Sequence, residues 1–340
     1  MRAAHPGHEG DVLRVRRGLH VGKHGGAVVK TVWLCPGQGA QKIGMAKDLA
    51  ARFPAARDAL EAIDASLGFR LSRVMFEGPE PELTATQNAQ PAILAHSIAV
   101  FAVVGGSVDG AAVAAAGHSL GEYSAYVLAG ALAPTEAARL VRRRGTLMQE
   151  AGTARPGTMA AVLGLPTAEV EAACREASQG GGVAVAANLN APDQTVISGD
   201  PESVAAAGER CRARGAKRVI PLKVSGAFHS PLMAPAAHEL TRALEAARFA
   251  DPAFPVIANA TAEPVREAAQ ARRLLADQLT APVRWVASMQ RAADLAGPGA
   301  RFLEVGPGTV LAGLLKRIAP GASVASLGTA DEVARFLEAA

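Results

Sequence analysis

The chain has 340 residues, 49% of them apolar, and a formal charge of +4, enough for a large core and a second, smaller domain. Residues 1–30 hold six basic residues (Arg2, Arg14, Arg16, Arg17, Lys23 and Lys30) against Glu9 and Asp11, and the remainder is balanced, so the charge marks neither a nucleic-acid-binding nor a membrane-binding body. Cys35, Cys174 and Cys211 are odd in number and widely spaced, which excludes a disulfide framework and a zinc spacing and suits the reducing cytoplasm.

Residues 1–27 read as a disordered leader: they carry four of the eight histidines (His5, His8, His20 and His24) in a Gly-rich setting without apolar periodicity. The organised part opens with a strand over 28–34 that ends in Cys35-Pro36-Gly37-Gln38-Gly39, a tight loop suited to close backbone approach. Helical periodicity follows over 45–53, 53–67 and 91–104, then an apolar strand over 111–116 and a helix over 122–132. Alternation of strands and helices predicts a mainly parallel sheet covered on both faces. The weakly charged stretch 91–117 is interrupted by Gly105-Gly106-Ser107 and Asp109, so no segment is expected to be long enough to span a bilayer.

Between about 158 and 225 the rhythm changes to strand 159–165, helix 167–178 capped by Thr167, strands 183–190 and 194–199, helix 202–214 and strand 217–224. That order is βαββαβ, the ferredoxin-like split motif. A small domain over 156–225 is therefore expected inside a large one formed by 28–155 and 226–340. Helix 231–246, strands 254–259 and 301–305 and a last clear helix over 310–318 complete the reading.

Gly117-His118-Ser119-Leu120-Gly121, between a strand and a helix, has the form of a nucleophile elbow. The strained turn presents the hydroxyl, the glycines remove side chains that would collide, and the helix start supplies N–H groups for an oxyanion. The serine needs a base near neutrality. Among the histidines outside the leader, His118 should point away from the serine, His96 lies in an apolar helix and His238 belongs on a helix surface, which leaves His229 in the loop between the domains. The loop acids between Ser119 and His229, chiefly Asp193 and Asp200, belong to the insert, so a Ser-His dyad is inferred, with a backbone carbonyl as one candidate for the third element. Of Arg142-Arg143-Arg144, one or two can face a pocket, where a planar guanidinium would select an acyl group with a free carboxylate.

Eight separated motifs resemble the malonyl-CoA:acyl-carrier-protein transacylase family over about 28–335. They are Pro36-Gly37-Gln38-Gly39, Ala89-Gln90-Pro91-Ala92, Gly117-His118-Ser119-Leu120-Gly121-Glu122-Tyr123, Arg144-Gly145, Asn188-Leu189-Asn190, Gly226-Ala227-Phe228-His229, Pro282-Val283-Arg284-Trp285 and Glu304-Val305-Gly306-Pro307-Gly308. The resemblance implies an α/β-hydrolase-like large domain with a ferredoxin-like insert, acting as a cytoplasmic monomer without metal or other cofactor. It implies that Ser119 is acylated, that His229 is its base, and that the Gln278 carbonyl orients the imidazole. The Gln38 and Leu120 N–H groups would form the oxyanion hole, Arg144 would hold the malonyl carboxylate, Gln90 would line the pocket and Asn190 would lie near the thioester arm. By the same resemblance, Leu120 beside the serine and Phe228 before the histidine would mark the malonyl-selecting version. The implied substrates are malonyl-CoA and the phosphopantetheine thiol of acyl carrier protein, in fatty-acid or polyketide synthesis.

Acidic carrier proteins make Arg212, Arg214, Lys217, Arg218, Lys316 and Arg317 docking candidates. Three other readings stand beside this one: a serine hydrolase or thioesterase with an acid behind His229, a catalytically silent scaffold subunit, and the same chemistry on another extender unit.

Overall fold

The computed structural model describes residues 29–108 and 111–339; the proposed leader lies outside them. The first half contains β1 (Thr31–Cys35), α1 (Lys47–Arg52), α2 (Pro54–Leu67), α3 (Leu71–Glu77), α4 (Glu80–Thr84), α5 (Thr86–Val104), β2 (Ala112–Gly117), α6 (Gly121–Leu128) and α7 (Pro134–Ala154). The next segment contains β3 (Thr158–Leu163), α8 (Thr167–Ala177), β4 (Ala184–Ala191), β5 (Gln194–Gly199), α9 (Pro201–Ala213) and β6 (Arg218–Pro221). The chain closes with α10 (Ala234–Ala246), β7 (Val256–Ile257), β8 (Pro264–Val265), α11 (Ala268–Asp277), α12 (Trp285–Ala296), β9 (Arg301–Val305), α13 (Val310–Ile318), β10 (Ser323–Leu327) and α14 (Ala330–Ala339).

The main sheet has the order β10-β9-β1-β2-β7-β8. All its pairs are parallel except the short β7–β8 edge. Alternation along β1 explains the unbroken apolar run: Val32 and Leu34 pack with Trp285, Met289, Leu311 and Leu315 of α12 and α13. Trp33 and Cys35 face the opposite core, with Leu60 and Ile63 of α2 and Ile93 of α5. A parallel strand covered on both faces has no polar side to display. The second sheet, β4-β5-β3-β6, is antiparallel throughout and is backed by α8 and α9. Strand order and connectivity are those of the ferredoxin-like split motif.

Three expectations are corrected. The segment Thr86–Val108, 23 residues long, does reach membrane-spanning length and apolarity, because a turn of 3-10 helix at Gly105–Val108 carries it past the glycines; it is a core helix, with 67% of its apolar window buried. α8 is not capped by the Thr167 side chain, whose hydroxyl lies 3.1 Å from that of Thr195, and Pro166 occupies the cap position. Helix 310–318 is not the last, since β10 and α14 follow and Val333 is fully buried against the main core.

The small sheet is fastened to the large domain by backbone pairing. Val283 N–H donates to Ala187 O at 2.8 Å and Leu189 N–H to Val283 O at 2.9 Å, so the Pro282-Val283-Arg284-Trp285 segment extends β4 before α12 begins. This puts Asn190, at the end of β4, over the carboxyl ends of the parallel strands, where α/β sheets hold their ligands.

Candidate active site

Ser119 sits in the turn between β2 and α6 with φ of 53°, a left-handed conformation that a side chain adopts at a cost of about 1–3 kcal/mol. The flanking glycines are imposed by packing: a Cβ on Gly117 would lie 1.9 Å from the Gly121 carbonyl, and one on Gly121 would lie 2.2 Å from the Cys35 carbonyl. The turn is held by Asn259, just beyond β7, whose Oδ1 accepts from the Ser119 N–H at 2.7 Å and whose Nδ2 donates to Gly117 O at 2.7 Å.

His229 Nε2 lies 2.8 Å from Ser119 Oγ, and its Nδ1 lies 2.9 Å from Gln278 O. A carbonyl only accepts, so Nδ1 carries the proton and Nε2 is free to receive one from the hydroxyl. His229 also has positive φ, 57°, and is 4% exposed. Burial pushes its pKa down to about 3, with the charge of Arg144 acting in the same direction.

Arg144 projects from α7 and is 1% exposed. Its Nη1 donates to Gln90 Oε1 at 2.8 Å, and its Nη2 to Gln278 Oε1 at 2.9 Å and Ser119 Oγ at 3.1 Å. Among the described residues it makes no ion pair, so a guanidinium whose burial costs several kcal/mol is aimed at the serine with only neutral groups bound to it. Its neighbours take other roles: Arg142 donates to Gln87 O at 2.9 Å and lies over the Phe69 ring, and Arg143 is exposed.

Gln38 lies in the loop after β1, which is tied to the elbow by His118 N–H donating to Cys35 O at 3.0 Å. Leu120 is the residue before α6, and among the described residues neither its N–H nor that of Gln38 makes a backbone hydrogen bond. A cleft of about 230 Å³ opens here, lined by Gln38, His118, Asn190, Gln194 and Leu311 among others. Phe228, 6% exposed, precedes the catalytic-candidate histidine in the chain. The structure thus gathers Ser119, His229, Arg144, Gln90 and Gln278 by direct hydrogen bonds, with Asn190 reaching the same cleft through His118.

The remaining histidines are resolved differently. His118 does not bond the serine, but it faces the cleft: its Nε2 lies 2.8 Å from Asn190 Oδ1 and its ring packs on Trp285 at 5.4 Å between centroids. His96 is a core histidine with Nε2 2.9 Å from Gly328 O, and burial lowers its pKa to about 4. His238 is exposed on α10.

Sequence reading missed the groups behind the site. Glu122 Oε2 accepts from Asn259 N–H at 2.9 Å and from Gln278 Nε2 at 2.8 Å, and Gln278 Nε2 also donates to Ser119 O at 3.0 Å. The signal for Glu122 was an acid inside the otherwise apolar helix α6, a residue type rarely buried without partners. The signal for Asn259 was a polar residue at the carboxyl end of a core strand.

Several docking candidates are already paired. Arg212 pairs with Glu209, Arg214 with Glu169 and Glu176, and Arg317 with Asp193 and Gln194. Among the described residues Lys217, Arg218 and Lys316 make no ion pair.

Residues 32–335 match the acyl transferase domain family, and the chain belongs to that family. It is 44% identical over 292 residues to the malonyl CoA-acyl carrier protein transacylase of Bacillus subtilis, covering 85% of this chain and 90% of that one. It is 41% identical over 304 residues to the Escherichia coli protein of the same name, covering 89% and 97%. A solved malonyl-transacylase in complex with a type II polyketide acyl-carrier protein superposes with a TM-score of 0.86 at 40% identity, covering 92% of this chain and all of that one. The transacylase from Coxiella burnetii also gives a TM-score of 0.86, at 37% identity over 91% of this chain and 97% of that one.

Proposed function

We infer that the protein is a malonyltransferase that carries the malonyl group from malonyl-CoA to the phosphopantetheine thiol of acyl carrier protein, through an ester on Ser119. The observation that carries the reading is Arg144. A buried guanidinium with no carboxylate partner among the described residues, 3.1 Å from the hydroxyl of a strained serine, fits an acyl donor that brings its own carboxylate.

In the first half-reaction the Ser119 proton passes to His229 Nε2 as Oγ bonds the thioester carbon. The oxyanion is received by the Gln38 and Leu120 N–H groups. Collapse breaks the carbon–sulfur bond, and the Nε2 proton leaves with the coenzyme A sulfur. In the second half-reaction the carrier thiol gives its proton to Nε2, its sulfur attacks the ester, and the proton returns to Ser119 Oγ as the carbon–oxygen bond breaks.

The low pKa of His229 is a property of the site before substrate arrives. Burial is the main cause of that depression, and a malonyl carboxylate on Arg144 opposes the lesser contribution, the guanidinium charge. Gln90 fixes the guanidinium, Phe228 limits room beside the α-carbon, and Asn190 with His118 receives the thioester arm. The site works without a resident cofactor, in the cytoplasm, where the three free buried cysteines stay reduced.

The test is transfer of label from malonyl-CoA to holo carrier protein, with acetyl-CoA as competitor. Transfer that requires carrier and is lost in Ser119→Ala supports the reading. Steady hydrolysis of malonyl-CoA without carrier would point to a thioesterase instead.

A further inference from the structure

A Ser-His dyad with only a carbonyl behind the imidazole lacks the carboxylate that usually fixes such a base. The structure contains one, two bonds removed. Glu122 is fully buried on α6, and a single oxygen, Oε2, accepts from the Asn259 N–H at 2.9 Å and the Gln278 side-chain amide at 2.8 Å. Asn259 holds the nucleophile, through Oδ1 to the Ser119 N–H at 2.7 Å. Gln278 holds the base, through its carbonyl to His229 Nδ1 at 2.9 Å, and its Oε1 accepts from Arg144 at 2.9 Å. We propose that Glu122 is the positioning residue of this site, one carboxylate oxygen setting the register between the residue that holds the serine and the residue that holds the histidine.

Ser119 and His229 come from different loops, so long-range bonds set the distance between them: Gln278 holds His229 through its carbonyl and reaches Ser119 O through Nε2 at 3.0 Å, and Glu122 ties that same amide to Asn259. Through Glu122, two brackets from segments 137 and 156 residues away in the chain share one anchor. Deleting the anchor leaves each bracket able to shift, and a displacement of about 1 Å in such a pair costs about 100-fold in rate. The inference rests on the dyad reading of Ser119 and His229 but not on the substrate.

It is tested by the rate at which a fluorophosphonate, which carries neither a malonyl group nor coenzyme A, labels Ser119, so the dyad is read independently of the substrate assignment. Glu122→Ala should slow labelling by about 100-fold with an unchanged near-ultraviolet circular dichroism spectrum, and kcat for malonyl transfer should fall by a similar factor while KM changes little. Glu122→Gln keeps an oxygen that can accept from both donors, and should label within about threefold of the unmodified protein. If Glu122→Ala does not fold, Glu122→Asp replaces it: the retracted oxygen cannot hold both donors, and labelling should slow at least about tenfold. Labelling at the unmodified rate in Glu122→Ala or Glu122→Asp, or Glu122→Gln as slow as Glu122→Ala, overturns the proposal.

Discussion

Arg144 shows how one side chain serves two chemical ends. Its fork is shared among Gln90, Gln278 and Ser119, so it is oriented before any substrate arrives. A charge-assisted hydrogen bond of this kind contributes about 1.5–3 kcal/mol, so Arg144→Ala should lower kcat/KM for malonyl-CoA by about 10- to 100-fold. Acetyl-CoA, with no carboxylate to lose, should gain on malonyl-CoA in direct competition, measured by adduct ratio.

The same residues set a pH dependence. His229 and His96 are held neutral by burial, with pKa values near 3 and 4 against 6.5 when exposed. A depressed histidine pKa gives stability that is complete above 6.5 and lost as pH falls toward the folded-state value. Glu122 runs the other way: burial raises its carboxyl to about 7 against 4.5, so its unfavourable ionisation sets in as pH rises from 4.5 to 7. Denaturation midpoints measured from pH 7 down to 4 should therefore show acid weakening that Glu122 partly offsets. Glu122→Gln removes the offset and should steepen the decline below pH 7; an unchanged profile would contradict the burial argument.

At the level of elements, the features that place the site are strand ends and helix starts. Glu304, at the buried end of β9, accepts from the Leu311 and Ala312 N–H groups of α13 at 2.9 Å each, and from Ser326 Oγ at 3.0 Å. This cap fixes the wall of the cleft that includes Leu311. Glu304→Ala leaves two helix-start donors unanswered, at about 1–3 kcal/mol, so the thermal midpoint should drop by several degrees.

The sequence was readable where periodicity was strong. The buried parallel strands and the βαββαβ insert follow from apolar runs and their spacing, and the serine turn from its two glycines. α11, α12 and α14 are hard to read because charged residues break up their apolar runs, as in Ala268–Asp277 with Arg272 and Arg273. In the site, Ser119 and His229 are visible because each is chemically conspicuous, whereas the run Arg142-Arg143-Arg144 leaves three equivalent candidates and only the family resemblance singles out Arg144. The Glu122, Asn259 and Gln278 side-chain network is not visible, because its bonds join residues up to 159 positions apart and leave no local pattern.

At the scale of the whole molecule, two sheets meet at a seam. β4 is continued by Val283, His118 reaches Asn190 across the gap, and Arg317 of α13 binds Asp193 and Gln194 at the β4–β5 turn. The cleft lies along this seam, so a carrier arm entering it contacts both sheets. Lys316 is on α13 beside the cleft wall and makes no ion pair among the described residues, whereas Arg317 is already occupied. Lys316→Glu should raise KM for an acidic carrier protein several-fold at low salt, with the effect shrinking as salt is added and acylation by malonyl-CoA unchanged.

All of this turns on Ser119 carrying the acyl group, which intact-mass spectrometry after brief mixing with malonyl-CoA and no carrier tests directly. The account predicts a gain of one malonyl group, mapped to Ser119, abolished in Ser119→Ala and discharged by holo carrier protein. An unmodified mass under conditions where transfer proceeds, or an adduct that persists in Ser119→Ala, would contradict it.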